Sequence, residues 1–300
     1  MTPIRRTFTF LTAAFPHGAY QSQGFNRPDL RGPSVKGQLR WWYDALFGGS
    51  DAGRRSDEDK LFGGLKNPKP GDKPGPEASR TVVRVRCLSA EGNFLRTYIL
   101  PHKPEPRDRG PKNAIAPGTS YELSLIPRRE GWTEQERGQL EQILDSWLLL
   151  GAVGQRANRA AGSLWPEGSP TSVTLYESRA SELLTKSKLR CAVLPGSYGR
   201  DERKVRFVAG DFIDGPTMSV QRGPRHSEVV EPWWPFGSAD PRKPSSLKLR
   251  AALLDNELRL VAVWDGRCAT NENLRRGIEE LAKQKEIGRL LKHAIATLCP

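Results

Sequence analysis

Two stretches of this 300-residue sequence place basic side chains on backbone that glycine leaves open, and both suit the binding of phosphate. The first, RGPSVKGQLRWWYDALFGG, runs from Arg31 to Gly49. Leu39, Trp42, Tyr43 and Leu46 recur in it at helical spacing, so Val35 to Phe47 is predicted to be an amphipathic helix with Ser34 as N-cap and Gly48-Gly49 as its end. Unpaired N–H groups and the helix dipole favour an anion at such a start. Arg31 and Lys36 flank that start, and Arg40 follows Lys36 by one turn. Gly32 and Gly37 let a polynucleotide backbone come close. The second stretch, GAVGQRANRAAGSLWP, spans Gly151 to Pro166. Gly154, Gly162 and Ser163 keep it free of bulk, and Arg156 and Arg159 charge it. It lacks GK[ST] and follows a helix instead of a strand, so it is neither a Walker A loop nor a dinucleotide fingerprint. Taken singly, either motif also reads as a capped helix end with solvated charges.

Other chemistry is not signalled. The histidines His17, His102, His226 and His293 fall in no HExxH, there is no GxSxG, and no acidic pair suits two metals. Cys87, Cys191, Cys268 and Cys299 are far apart and form no CxxC, so neither a zinc site nor a disulfide framework is expected, and no cofactor. The 47 Lys and Arg against 34 Asp and Glu leave a formal charge of +13, which points to an extended polyanion as partner. No run approaches the ~18 apolar residues of a spanning helix. The apolar stretch behind Arg5 and Arg6 is short and broken by threonines, unlike a signal peptide. A cytoplasmic protein without a membrane partner is expected.

The elements that must hold the two motifs follow from periodicity. Arg6 to Thr12, Thr81 to Leu88 and Tyr121 to Ile126 alternate like half-buried strands, and Glu134 to Leu150 carries Leu140, Ile143, Leu144, Trp147 and Leu148 on one helical face. Ser50 to Ser79, apart from the short LFGG piece, and Pro101 to Gly118 read as long loop insertions. Strand, helix, strand, strand, helix is the skeleton of a ferredoxin-like or RRM-like half. Further on, Lys204 to Val208 and Leu258 to Trp264 read as strands, Glu231 to Pro244 as a loop, and Asn273 to Leu298 as one long or broken helix. The expected fold is α+β: two ferredoxin-like (RRM-like) domains, 1–170 and a degenerate 171–300. Of the tryptophans, Trp41-Trp42 and Trp233-Trp234 could stack on bases, but packing in the core or at a subunit interface is preferred.

Together the motifs resemble the RAMP superfamily of CRISPR proteins, and within it the first-subunit family of type III-B Cmr complexes. That family has a helix much like RPPSVKGLLRFWWRAL, then E-x-x-L-F-G, then a loop much like GGIGARSRRGFGS. The counterparts are Arg31 to Leu46, Glu58 to Gly63 and Gly151 to Ser163, in the same order and with similar spacing. Ala152, Asn158 and Ala160-Ala161 depart from the usual residues of the loop. The resemblance implies two ferredoxin-like domains, other RAMP subunits as partners, and contact with guide or target RNA near the guide's 3′ end. It implies RNA contacts at Arg31, Ser34, Lys36, Gly37, Arg40, Gly154, Arg156, Arg159, Gly162 and Ser163. Some RAMP relatives process guide RNA with a histidine and others cut target RNA with an aspartate. This makes His17 and Asp29 the candidates of an alternative endoribonuclease reading, and a non-catalytic role is preferred.

Overall fold

The structure is a computed structural model that describes residues 2–16, 28–48, 52–65, 76–89, 93–101, 110–128, 131–211, 216–238 and 243–299. Its first strand, β1 (Ile4–Phe10), turns Ile4, Phe8 and Phe10 inward, as the threonine–aromatic alternation requires. α1 (Gly32–Phe47) starts earlier than its periodicity suggested: Arg31 is the N-cap, without a side-chain bond, and the proline falls in the first turn. Proline is favoured there because its missing N–H has no helical partner. Within the stretch expected to be a loop lies α2 (Ala52–Phe62), followed by the short pair β2 (Gly64–Leu65) and β3 (Pro76–Glu77).

β4 (Thr81–Cys87) is followed by the hairpin β5 (Phe94–Thr97) and β6 (Lys112–Ile115), the latter inside the second supposed insertion, and then by β7 (Ser120–Pro127). α3 (Glu134–Leu150) has the bounds its periodicity gave. The Glu136 N–H donates to the Thr133 hydroxyl and the Thr133 N–H to the Glu136 carboxylate, a reciprocal cap that fixes where the helix begins. β8 (Leu164–Pro166) completes an antiparallel sheet in the order β4-β7-β1-β8.

The rest of the chain supplies α4 (Val173–Leu183), β9 (Leu189–Val193), α5 (Glu202–Gly210), the hairpin β10 (Thr217–Arg222) and β11 (Arg225–Val230), β12 (Leu247–Leu254) and β13 (Glu257–Asp265). It closes with α6 (Asn271–Gln284), α7 (Glu286–His293) and α8 (Ile295–Leu298), so of the long or broken helix expected there the broken form is found. The strands β12-β13-β9, in that order, form a second antiparallel sheet. Lys204 to Val208 is helical, not a strand. The Asp201 carboxylate caps the Lys204 N–H, and Val205, Val208 and Ala209 are buried at helical spacing.

Two large apolar clusters share the second sheet. Ala252, Leu254, Val261 and Val263 belong to a cluster with Phe8, Trp42, Leu123 and Trp147 of the first part. Leu249, Ala251, Leu260 and Ala262, on the alternate positions, pack with Val205, Leu274 and Leu291. The second sheet is therefore buried on both faces. Trp234 lies in this second cluster and Trp233 stacks against Arg276 at 3.8 Å, so the pair packs inward. Among the described residues no helix is long and apolar enough to cross a membrane. Cys87, Cys191, Cys268 and Cys299 are free thiols.

Candidate nucleic-acid interface

The glycine-rich stretch leaves α3 at Gly151, whose N–H donates to the Trp147 carbonyl, and is then stitched to two other parts of the chain. Towards the segment after β1, the Gly162 N–H donates to Ala13 O (2.9 Å) and the Gln155 N–H to Phe15 O (3.1 Å). Towards β12, the Ala160 N–H donates to Leu249 O (2.8 Å) and the Leu249 N–H to Asn158 O (3.0 Å). Ser163 joins both sides: its N–H donates to the Thr12 hydroxyl (2.9 Å) and its own hydroxyl accepts from the Ala251 N–H (2.8 Å).

Glycine is required at two of these places. Gly162 has φ +64°, and a Cβ on it would overlap the Val153 carbonyl oxygen. Gly154 has φ +95°, and a Cβ there would lie 2.6 Å from the Phe15 carbonyl carbon. Beneath the loop, Arg250 is buried and its guanidinium donates to the carbonyls of Leu148, Leu164 and Ala251, the ends of α3 and β8 and a residue of β12. Burial pushes its pKa down from the usual arginine value.

The residues singled out in the sequence divide into two groups. Arg31, Ser34, Gly37, Gly154 and Arg156 are exposed, and Lys36 is partly so. Burial first, then repulsion from Arg128 and Arg40, holds the Lys36 pKa below the ordinary lysine value. The other four are engaged within the fold or buried. Arg40 pairs with Glu58 (2.7 Å) and Asp59 (2.8 Å) and donates to Gly63 O, which clamps the E-x-x-L-F-G element onto α1. Arg159 donates to Gly210 O (3.1 Å) at the end of α5, while Gly162 and Ser163 are buried. The polar groups of these four are thus already taken up or enclosed, those of Arg40 on α2 and those of the other three around the loop.

The two motifs nevertheless meet. Gly37, Gln38 and Trp41 of α1, Ala157 and Asn158 of the loop, and Lys248 of β12 line one groove of about 320 Å³. Lys248, which periodicity did not flag, stands over the Trp41 ring at 4.3 Å. Arg128, the cation facing Lys36, also escaped the sequence pattern because it arrives from the end of β7. Asp29 is exposed and its N–H donates to Pro16 O (3.0 Å); His17 lies outside the described residues. Among those residues, no group of three or more His, Cys, Asp or Glu could hold a metal ion.

The family model of the RAMP superfamily matches residues 7–165. The Cmr subunit Cmr1-1 of the CRISPR system of Pyrococcus furiosus is 28% identical over 160 residues, 46% of this chain and 40% of that protein. The match thus spans two fifths of that relative's length. Among solved structures, Cmr1 from Pyrococcus furiosus in its apo form superposes with a TM-score of 0.50 at 17% identity, over 88% of each chain. A chain of the type III-B Cmr-beta complex, solved bound to cognate target RNA and AMPPnP, gives 0.50 at 12% identity over 93% of this chain and 98% of that one. At such identities the likeness is one of fold, a mixed α/β arrangement with antiparallel sheets. The matched span 7–165 is over half of the 300 residues and holds the first motif, nearly all of the second, the groove's α1 wall and most of the first sheet, and on it the chain belongs to the RAMP superfamily.

Proposed function

We propose that this chain is a Cmr1-like, RNA-binding subunit of a type III-B CRISPR ribonucleoprotein effector complex. In this reading it contacts phosphates of guide and target RNA near the guide's 3′ end, beside other RAMP subunits, and performs no catalysis of its own. The observation that carries it is the meeting of α1 and the glycine-rich loop at one groove; Arg31, Lys36 and Arg156 of the same two motifs lie outside its lining and have no side-chain partner among the described residues. The fold is read as two ferredoxin-like halves, 1–170 and 171–300. The order β1, α1, β4, β7, α3, β8 with sheet order β4-β7-β1-β8 supports the first. In the second, β9, α5, β12, β13 and α6 repeat five of those six elements, with sheet order β12-β13-β9.

Charge displayed on helix-terminal and glycine-rich backbone contacts phosphates and not bases, so binding is expected to tolerate sequence and to weaken steeply with salt. Fluorescence anisotropy on two unrelated RNAs across a salt series measures this. Lys36→Ala and Arg156→Ala should each weaken both RNAs alike and flatten the logarithmic salt slope by about 0.7. Unchanged slopes in both variants would remove the motifs from the RNA site.

Incubated with guide precursor or target RNA, with or without divalent metal, the isolated chain is expected to cleave neither. Cleavage that disappears in His17→Ala or Asp29→Ala protein would make the RAMP endoribonuclease the better reading.

A further inference from the structure

The groove between α1, the loop and β12 contains a cation that the fold itself does not use. Lys248 and Arg250 are alternate residues of β12 and share a face of that strand. Arg250 is saturated by carbonyls, whereas the Lys248 ammonium has no hydrogen-bond acceptor among the described residues and stands over the Trp41 ring. Asp265, the carboxylate whose charge acts on it, is taken by Arg267 at 2.8 Å. Desolvation accordingly depresses the Lys248 pKa in spite of that carboxylate. A partly buried ammonium without an acceptor is costly, and an anion in the groove removes the cost.

The remaining groups narrow what the anion belongs to. Trp41 is flanked by Lys248 and by Arg267 at 5.3 Å, and meets Trp42 edge-on at 5.2 Å, so its ring is already engaged by these neighbours. The groove therefore lacks the free aromatic platform on which single-stranded bases stack. It offers instead the side-chain amides of Gln38 and Asn158, each a donor and an acceptor and neither hydrogen-bonded among the described residues. Its 320 Å³ is at the small end of the range of about 300–1,000 Å³ for ligand pockets, room for one sugar-phosphate unit.

We infer that this groove holds one ribose-phosphate unit of the RNA strand, with Lys248 on the phosphate and the Gln38 and Asn158 amides on the 2′-hydroxyl, so that the chain prefers RNA to DNA here. The inference rests on the RNA-binding reading above and adds the sugar to what is recognised. The 2′-hydroxyl both donates and accepts, which an amide matches and a deoxyribose cannot offer.

The test uses the full chain and two probes of one sequence, a single-stranded RNA and its DNA counterpart, in anisotropy titrations across a salt series. Wild type should bind the RNA more tightly. Lys248→Met, which keeps the aliphatic stem, should lose about tenfold on RNA, the low end for a charged hydrogen bond, and flatten the salt slope by about 0.7. Gln38→Ala, on the exposed surface of α1, should cut the RNA-to-DNA affinity ratio several-fold and leave the slope unchanged. A thermal melt of each variant checks folding; if Lys248→Met is unstable, Gln38→Ala decides alone. An unaltered ratio in Gln38→Ala overturns the inference, as does an unaltered slope in folded Lys248→Met. If Lys36→Ala still flattens the slope in that case, RNA binding stands and only the groove's role falls. Wild type that binds neither probe removes both.

Discussion

Arg250→Met is expected to lower the free energy of unfolding by about 3–5 kcal/mol, read as a fall in the urea midpoint at unchanged slope. Methionine replaces most of the stem, so the loss is not mainly one of packing. What disappears is the guanidinium that donates to Leu148 O, Leu164 O and Ala251 O, all beyond the reach of water. Each stranded carbonyl costs about 1–3 kcal/mol, and relief from burying the charge returns part of the sum. Against a typical stability of about 5–15 kcal/mol, the remaining loss leaves a marginal protein. Lysine should rescue little, because a single ammonium cannot reproduce the planar fork that serves three carbonyls. A midpoint within error of wild type would mean that those carbonyls find other donors.

Gly162→Ala should cost about 3 kcal/mol and weaken RNA more than any single charge removal, since it displaces the loop that builds the groove. Positive φ alone does not explain this, because Arg156 and Ala160 hold φ of 61° and 60° in the same loop with side chains. The difference is room: a Cβ on Gly162 meets the Val153 carbonyl and lies 3.1 Å from the Ala14 Cβ, backbone and packed core that cannot step aside. Gly168 supplies the control. It has φ +73° with nothing within 4 Å of its virtual Cβ, so Gly168→Ala should cost only about 1–2 kcal/mol of conformational preference and leave RNA affinity intact. Equal effects of the two substitutions in urea unfolding and anisotropy would assign the cost to backbone preference and acquit the overlap.

Both predictions concern residues whose role the sequence only half disclosed. β1, β4 and β7 were legible because each buries one face, and α3 because its apolar stripe is bounded by a capping sequence. β12 was not, since LKLRAALL is buried on both sides and loses the alternation that marks a strand. KVRFV alternates like a strand but is helical once Asp201 caps it. In the site, the motifs were legible as basic residues near glycines. The division of labour was not, because the partners of Arg40 and Arg159 (Glu58, Asp59 and Gly210) are set by tertiary packing. Ser163, read as a phosphate ligand, is a buried junction for the same reason. Lys248 escaped because it enters the groove from a strand more than eighty residues beyond the loop it faces.

The shared second sheet has a consequence for how the chain is made. Ala252, Leu254, Val261 and Val263 complete the apolar cluster that Phe8, Trp42 and Trp147 begin, so the N-terminal part has no closed interior until β13 has been translated. At about 5–20 residues per second, the ribosome needs roughly 5–20 s to travel from β8 to the end of β13. During that interval the nascent polypeptide carries an open hydrophobic face tethered at the tunnel exit, the kind of surface that holding chaperones recognise.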